Sequence, residues 1–329
     1  MPLEANPIQS PQYICLLQTL PTTPTKEKDK SFKTRVKHTH TWEANKIVQK
    51  LQITVLVEDS LAKKNSGLKA QHGLSLFIQA TSRKTETSIL MDTGPSGEAL
   101  INNVERLSVP LEETDAILLS HGHYDHVNGL IHALKRIGKR VPIIAHPNVF
   151  SVKLKTKPKI RLIGASFPTS EIEAYSTLVY AVNPVTIAEE IVASGEIPRR
   201  TPYEHVEGFW TVTDNRFEKD LILDDQALYV KLENKGLVVI TGCAHSGIIN
   251  TVKHAQKIMN ETRIHAVIGG FHLLNASEDR IQKTTEEFTA LHPSYVGLCH
   301  CTGDEAAKAF KKAMPNVCHR IGTGDIIHL

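Results

Sequence analysis

The chain has 329 residues, of which 41% are hydrophobic and 22% are charged, a composition that is ordinary for a globular protein. Its length allows one large α/β domain or two smaller domains. The formal net charge of +3 is too close to neutral to favour a nucleic-acid partner. No apolar run approaches the roughly 18 residues that a membrane span requires, so no membrane association is expected.

The cysteines indicate a reduced environment. Their number is odd and their spacing is unlike that of a small disulfide scaffold: Cys15, Cys243, Cys299, Cys301 and Cys318. We therefore predict a cytoplasmic protein. The apolar run at residues 14–17 is too short for the core of a signal peptide, and no basic region precedes it.

The beginning of the chain differs from the remainder. Residues 21–25 are rich in proline and threonine, residues 26–30 alternate in charge, and apolar periodicity is weak throughout this part. We predict that residues 1–46 form a partly flexible N-terminal extension and that residues 47–329 form the folded domain.

Alternating or continuous apolar runs predict the elements of the first half of this domain. The predicted order is strand 51–57, strand 73–78, strand 87–91, helix 98–107, strand 115–120, helix 129–137 and strand 141–146. Residues 150–210 then show weak periodicity and many prolines. Because this stretch is too long for a structureless loop, we predict an insertion that forms one wall of a substrate pocket.

Regular elements resume in the second half. Strands at 226–232 and 237–240 surround a turn and predict a hairpin. Helices at 248–259, 278–291 and 304–314 are expected to alternate with strands at 265–268 and 295–298. Strands that alternate with helices predict an α/β fold.

The most informative segment is residues 120–126, Ser-His-Gly-His-Tyr-Asp-His, which follows the buried strand predicted at 115–120. His121 and His123 are two residues apart, so an extended chain would point both side chains the same way and let them bind one ion. Asp125 and His126 lie where the chain must turn and can face a second ion. Imidazole and carboxylate ligands suit zinc, and also iron or manganese.

This H-x-H-x-D-H pattern after a buried strand resembles the signature of the metallo-β-lactamase superfamily. The resemblance covers roughly residues 50–329 and implies a four-layer αβ/βα sandwich. In such a fold two sheets stack at the centre, helices cover both outer faces, and the metals lie at one edge.

Three later histidines follow predicted strands and are flanked by glycines: His245, His272 and His300. We predict that they complete a site for two metal ions, without an assignment of each histidine to one ion. Their surroundings, Thr-Gly-Cys-Ala-His-Ser-Gly, Gly-Gly-Phe-His-Leu and Cys-His-Cys-Thr-Gly, resemble one branch of the superfamily. That branch contains dihydropterin-linked 5′-phosphate synthases of methanopterin synthesis.

One feature departs from the superfamily pattern. Many members place a Gly-Asp after a strand of the second half, and that aspartate bridges both metals, whereas this chain has Gly242-Cys243. Asp224 and Asp225 are candidates to supply the missing carboxylate, against the simpler interpretation that they are turn or cap residues.

The remaining residues near the predicted site have open roles. Asp92 could accept a hydrogen bond from a ligand histidine, or could be a turn residue. Tyr124 could face the pocket or pack against the fold. We predict that Cys243, Cys299 and Cys301 are small buried hydrophobic residues, the last two pointing away from His300.

An alternating basic strip in the predicted insertion could bind a substrate phosphate, although we interpret it as an exposed strand face. It consists of Lys153, Lys155, Lys157, Lys159 and Arg161.

The resemblance implies a metalloenzyme with two Zn²⁺ ions per chain and a small-molecule substrate that could be phosphorylated. Metal-activated hydroxide would hydrolyse an ester, phosphoester or lactam-type bond, and Asp125 would orient the water or accept its proton. Alternatively, the metals would assist displacement of diphosphate from a dihydropterin. The competing hypotheses are a phosphodiesterase or nuclease of the same fold and a non-catalytic metal-binding protein. The sequence does not predict the oligomeric state.

Overall fold

The computed structural model of the chain describes residues 47–64, 66–83 and 85–329. The N-terminal extension predicted for residues 1–46 lies outside these residues. Among the helices in this part of the chain, none is both long and apolar enough to cross a membrane.

The predicted strands occur in the predicted order, and short strands that were not predicted are added in the middle and at the end of the chain. The strands are β1 (Val48–Val57), β2 (Ser75–Ser82), β3 (Glu86–Met91), β4 (Ala116–Leu118), β5 (Val141–Ala145), β6 (Leu154–Lys155), β7 (Arg161–Leu162), β8 (Ser176–Tyr180), β9 (Val185–Ala188), β10 (Ile191–Ala193), β11 (Phe209–Thr213), β12 (Arg216–Lys219), β13 (Ala227–Leu232), β14 (Gly236–Thr241), β15 (Ile264–Gly269), β16 (Tyr295–Leu298), β17 (Cys318–Arg320) and β18 (Ile326–His328).

The helices also follow the predicted order. They are α1 (Gly97–Leu107), α2 (Tyr124–Val127), α3 (Leu130–Ile137), α4 (Thr169–Glu173), α5 (Ile248–Met259), α6 (Glu278–Ala290) and α7 (Asp304–Ala313), with 3₁₀ turns at Leu111–Glu113, Pro147–Phe150 and His300–Thr302. Local chemistry sets two of the helix starts. Ser96 accepts a hydrogen bond from Ala99 N ahead of α1, and Ser277 does the same for Arg280 N ahead of α6.

One large sheet runs in the order β17-β16-β15-β14-β13-β1-β2-β3-β4-β5-β8. The middle strands pair antiparallel within each half, as in β1 with β2 and β13 with β14. Outward from these, β3-β4-β5-β8 and β14-β15-β16-β17 are parallel. Parallel strands bring their carboxyl ends to the same edge of a sheet, which is where the predicted ligands occur.

Three hydrophobic cores define the layers of the domain. Alternate residues of β14 show the principle, since Leu237 and Val239 pack against α5, α6 and α7, whereas Val238 and Ile240 enter a central core. In β2, Phe77 packs against α1 and α3, and its neighbours enter the same central core. Both halves of the sheet therefore share one core and carry helices on their outer faces. This arrangement confirms the predicted four-layer αβ/βα sandwich.

Residues 150–210 contribute to two sheets. Strands β8, β9 and β10 join the large sheet, whereas β6 and β7 form a small four-stranded sheet with β11 and β12. The sequence did not predict α2, a single turn that begins within the histidine motif. This turn directs Asp125 and His126 away from the line of the preceding strand.

Candidate metal centre

The loop after β4 brings the histidine motif against two other parts of the chain. At Gly122, an added Cβ would lie 1.7 Å from the carbonyl oxygen of Val149, so only glycine fits there. The Gly122 amide donates a hydrogen bond to Asp224 Oδ2 at 2.7 Å. The loop that carries His121 and His123 is therefore held in place on both sides.

The second half supplies its side chains from three strand ends. Cys243 and His245 follow β14, His272 follows β15, and His300 follows β16. The backbone is in the left-handed region at Ala244, His272 and His300, with φ between 47° and 53°. Each such residue costs about 1–3 kcal/mol and occurs mainly at functional sites.

A first cluster joins the two halves. His121 Nε2 lies 2.9 Å from His123 Nδ1 and 3.2 Å from His245 Nε2. Two nitrogens bound to one tetrahedral zinc ion are about 3.3 Å apart, given bonds of about 2.0–2.1 Å. These three nitrogens therefore have a spacing that fits a metal ion, and the group could hold one.

A second cluster adjoins the first. His126 Nε2 lies 3.3 Å from His300 Nε2 and 3.2 Å from Cys243 Sγ. The carboxylate of Asp125 approaches from the cavity side, with Oδ2 3.6 Å from His300 Nε2. The ligand types and spacing of this second cluster also suit a divalent cation.

His272 lies beside both clusters. Its ring centroid is 4.1 Å from that of His245. One ring nitrogen of His272, one of His245 and the Cys243 sulfur all lie within 4.8 Å of one another. The structure thus brings all seven predicted ligand side chains to one edge of the sandwich. Whether each binds metal stays a prediction.

Carboxylates on the far side of the rings orient two of the histidines. Asp92 Oδ2 lies 2.7 Å from His126 Nδ1, and Asp92 also accepts hydrogen bonds from the backbone and hydroxyl of Ser120. Asp59 Oδ1 lies 2.7 Å from His300 Nδ1. Hydrogen bonds of this kind hold the Nδ1 proton and leave Nε2 free to bind a cation.

The sequence reasoning missed Asp59 and its neighbour Glu58, which accepts a hydrogen bond from His300 N at 2.7 Å. Both follow the buried strand β1, in the same way that Asp92 follows β3. A carboxylate at the end of a buried strand was therefore a usable signal. His72 was also missed, and its Nδ1 lies 2.9 Å from Asp59 Oδ2.

Burial keeps the three histidines of the first cluster neutral. Burial lowers the pKa of His121, His123 and His245 well below the ordinary value of 6.5. Burial also opposes the charge of His126, but the Asp92 carboxylate outweighs it and raises the pKa of His126 to about 9. Neutral imidazole is the form that binds metal, so three of these rings need no proton loss at neutral pH.

Asp224 has a structural role. Its Oδ1 lies 2.7 Å from Lys153 Nζ and its Oδ2 accepts the Gly122 amide, so both oxygens are engaged. Asp225 Oδ2 accepts a hydrogen bond from Ser246 N in the turn after β14. Burial raises the pKa of Asp225 to about 6. These contacts favour the turn interpretation over a bridging role.

The interpretation of the basic strip is wrong for Lys153, which is only 1% exposed and is paired with Asp224 and Asp220. The strand register fails because β6 begins only at Leu154 and Lys153 enters the fold beside the motif loop. Lys157 and Lys159 are exposed, in agreement with the prediction.

The prediction that Cys301 points away from His300 is also wrong. Its sulfur lies within 4.8 Å of the ligand atoms of His300 and Cys243. The chain leaves the extended conformation at His300, where φ is 47°, so the alternation of a strand no longer applies. Cys299 is buried in the central core, as predicted.

A cavity of about 560 Å³ opens above both clusters. Its lining includes His123 and His245 of the first cluster and Asp125, Cys243 and His300 of the second, but neither His121 nor His126. The cations Lys155, Arg161 and Arg280 also line it. The Phe209 ring stacks on His123 with centroids 5.1 Å apart, and Lys155 Nζ lies 4.9 Å above the same Phe209 ring. Tyr124 also lines this cavity. The cavity lining therefore combines aromatic rings, three cations and the carboxylates of Glu207 and Asp279 beside the candidate metal ligands.

Comparison with known proteins places this arrangement in a class. A family model described as the beta-lactamase superfamily domain matches residues 87–216. The crystal structure of Tm1679, a metal-dependent hydrolase of the beta-lactamase superfamily, superposes with a TM-score of 0.71 at 30% identity. The match covers 84% of this chain and 98% of that one. The chain belongs to the metallo-β-lactamase superfamily.

The relatives in sequence are more specific. The chain is 34% identical over 287 residues to 7,8-dihydropterin-6-methyl-4-(beta-D-ribofuranosyl)-aminobenzene-5′-phosphate synthase from Methanocaldococcus jannaschii, covering 85% of this chain and 97% of the synthase. It is also 34% identical to an uncharacterised protein of the same organism, covering 77% of this chain and 91% of that protein. With a synthase and a hydrolase among its relatives, the chain is an enzyme of this fold.

Proposed function

We propose that the chain is a dinuclear metalloenzyme, with zinc as the preferred metal, that displaces diphosphate from a phosphorylated small molecule of the dihydropterin type. The observation that supports this most strongly is the convergence of two ligand clusters beside a cavity that Lys155, Arg161 and Arg280 help to line. The name of the synthase relative supports the substrate class.

The proposed ligands follow from the two clusters. His121, His123 and His245 would hold one ion, and Asp125, His126 and His300 would hold the other. When bound, two such ions supply Lewis acidity that neutralises the charge of a leaving group or lowers the pKa of water.

Other residues of the chain would orient the ligand histidines and position a nucleophile. Asp92 and Asp59 hold the Nδ1 protons of His126 and His300, so that both rings keep their Nε2 atoms directed at the cluster. The Asp125 carboxylate faces the cavity and lies 3.4 Å from His72 Nε2. It is placed to orient a nucleophile and to accept its proton at Oδ2.

The walls of the cavity favour an aromatic, anionic substrate. The edge of the cavity is lined by Phe209, which is buried between His123 and Lys155, and Lys155 and Arg161 provide charge for phosphate oxygens. A substrate that carries phosphate could pair with these cations, whereas a carbonyl substrate without phosphate could not. This feature favours diphosphate displacement over opening of a lactone or lactam.

The experiment is a turnover assay on zinc-loaded protein with a dihydropterin methyl diphosphate and the ribosylated aminobenzene phosphate as co-substrate. We expect release of diphosphate together with formation of a carbon–nitrogen bond, in which the amino nitrogen of the co-substrate replaces diphosphate on the pterin methyl carbon and loses a proton. Phosphorus NMR and mass spectrometry detect both products. The His121→Ala variant should be inactive. The matched control His328→Ala alters an exposed histidine of β18 and should retain activity.

Two other outcomes would overturn the proposal. Hydrolysis of bis(p-nitrophenyl) phosphate without any synthesis would support the phosphodiesterase alternative. Lack of turnover on either substrate, in protein that holds its metal, would support a non-catalytic metal-binding protein.

A further inference from the structure

Arg280 lines the cavity from the first turn of α6 and is half-buried. Its guanidinium makes one hydrogen bond to the part of the chain that the structure describes, from Nη1 to the His205 carbonyl oxygen at 3.3 Å. Neither Nη2 nor Nε, which is buried, makes a hydrogen bond to these residues. A cation that is partly withdrawn from water is normally paired, because loss of hydration costs free energy. Arg280 therefore keeps hydrogen-bonding capacity for an anion in the cavity.

The carboxylates around Arg280 are engaged elsewhere or exposed. Glu204 accepts hydrogen bonds from two backbone amides at the start of α5, both at 2.9 Å. Asp279 forms an ion pair with Lys283, and its side chain is 69% exposed. The side chain of Glu207 is 81% exposed. Because solvent screens exposed charges, Asp279 and Glu207 neither neutralise Arg280 nor strongly repel an anion that binds it.

Arg280 lies apart from the cation beside the first ligand cluster. That cation is Lys155, whose Nζ lies 4.9 Å above the Phe209 ring, and this ring stacks on His123. The ionisable groups whose charge acts most on Arg280 lie instead in residues 203–207, and none of them is a candidate metal ligand. An anion at Arg280 would thus occupy a part of the cavity distinct from the part beside the clusters.

The substrates of the proposed reaction carry two kinds of phosphate. The diphosphate leaves, so it must lie where the metals can neutralise its charge. The 5′-phosphate in the product name of the synthase relative stays on the substrate throughout. A retained phosphate needs a partner for recognition only. A guanidinium suits this task, because its planar N–H groups can donate to two phosphate oxygens at once.

We propose that Arg280 binds the phosphate monoester that the second substrate keeps during the reaction, and that it sets the preference for the phosphorylated form of this substrate. This inference rests on the proposed function. Lys155 would serve the diphosphate beside the metals, and Arg280 the phosphate that stays. No bond to phosphorus forms or breaks at Arg280, which remains protonated.

The test is calorimetric titration of zinc-loaded protein with the ribosylated aminobenzene phosphate and, separately, with its dephosphorylated form. The pterin substrate is absent, so the measurement does not depend on turnover. We expect the wild-type protein to bind the phosphorylated form at least about 10-fold more tightly, as expected for a hydrogen bond to a charged group. In Arg280→Gln this preference should be lost, whereas affinity for the dephosphorylated form should be unchanged.

Two further variants make the result specific. Lys283→Gln removes the same charge from an exposed position of the same helix and should keep the full preference. Arg280→Met keeps a long apolar stem and guards against the case in which Arg280→Gln fails to fold. It should lose the preference as well. Equal loss in Lys283→Gln would show unspecific attraction between charges and overturn the role of Arg280.

The remaining outcomes separate this inference from the proposed function. An undiminished preference in the Arg280 variants, or equally weakened binding of both forms, would overturn the phosphate site. A preference that depends on Arg280 in protein without synthase activity would support the phosphate site and contradict the proposed reaction. Failure of the wild-type protein to bind either form would contradict the proposed function and, with it, the role of Arg280.

Discussion

The two halves of the sandwich build the candidate metal centre in different ways. The first half places His121, His123, Asp125 and His126 within one segment of six residues, which comprises the loop after β4 and the start of α2. The second half contributes His245, His272 and His300 from the ends of three different parallel strands. A contiguous segment thus meets side chains that are brought together by topology alone.

The halves also differ in what holds the side chains in place. The first-half loop is tied by buried charge, through Asp92 on His126 and through the Lys153–Asp224 pair behind Gly122. In the second half, the backbone enters the left-handed region at His272 and His300. A carboxylate therefore orients a histidine of each half, Asp92 for His126 and Asp59 for His300, and the second half adds left-handed backbone at the candidate ligands themselves.

The largest expected effect comes from removing a ligand of the first cluster, either from the first half of the sandwich or from the second. His121→Ala and His245→Ala should each lower kcat/KM by more than about 100-fold, because loss of a residue that only supports a ligand already costs about 10–100-fold. The two losses should be similar, although the residues are far apart in sequence. Steady-state kinetics on zinc-loaded protein measures both, with His328→Ala as the control.

Near wild-type activity in His245→Ala would show that the second half does not complete the first cluster. The centre would then depend on the contiguous motif, and the comparison between the halves would fail.

The next effect is on stability. Lys153→Met leaves Asp224 buried without its cationic partner, and breaking a buried pair costs about 3–5 kcal/mol in the free energy of unfolding. Urea denaturation measures the loss. Lys159→Met, an exposed position in the same strip, should change stability by no more than about 0.5 kcal/mol. Equal stability of the two variants would contradict the structural role of Lys153.

Asp92→Asn tests the support of His126. The amide cannot stabilise the ring as the carboxylate does, so metal affinity should fall by about 10–100-fold. Competition with a chromophoric chelator measures this affinity. Unchanged affinity in a folded variant would show that Asp92 is only a turn residue.

The same variant has a pH signature in metal-free protein. The pKa of His126 in the folded state is about 9, above the ordinary 6.5, so the stability contributed by its protonation is full below 6.5 and is lost as the pH rises through 9. Burial shifts the pKa of His121, His123 and His245 downward, so stability also falls as the pH drops below 6.5. The Tm of chelator-treated protein should therefore be highest near pH 6.5. Asp92→Asn should reduce the alkaline decline, and an unchanged decline would contradict the coupling.

The smallest effect concerns the cavity wall. Arg161 is exposed, so its attraction for a substrate phosphate is screened by solvent and is worth about 0.2–1 kcal/mol. Arg161→Gln should raise KM by up to about 5-fold and leave kcat unchanged. A large fall in kcat with unchanged KM would show that Arg161 acts on the reacting atoms.

The sequence predicted those parts of the structure that depend on local pattern. Hydrophobic periodicity was sufficient for α1, α5 and the strands around them, and the motif at residues 120–126 was visible because its ligands are contiguous. The place of Asp59 at the end of a buried strand was visible in the sequence, but its contact with His300 was not, since this partner lies far away in the chain. The buried position of Lys153 depends in the same way on Asp224. Cys301 was mispredicted because strand alternation ends at His300, where the backbone enters a left-handed conformation that no local pattern indicates.

The central claim is that the two halves together build a two-ion centre. The most direct test is the metal content per chain of protein purified without chelator, for the wild type, His121→Ala and His300→Ala. We expect about two zinc or iron ions per wild-type chain and a loss of metal in each variant, although one replaced histidine lies in the motif and the other at the end of β16. Folded wild-type protein without tightly bound metal, or variants that retain both ions, would contradict it.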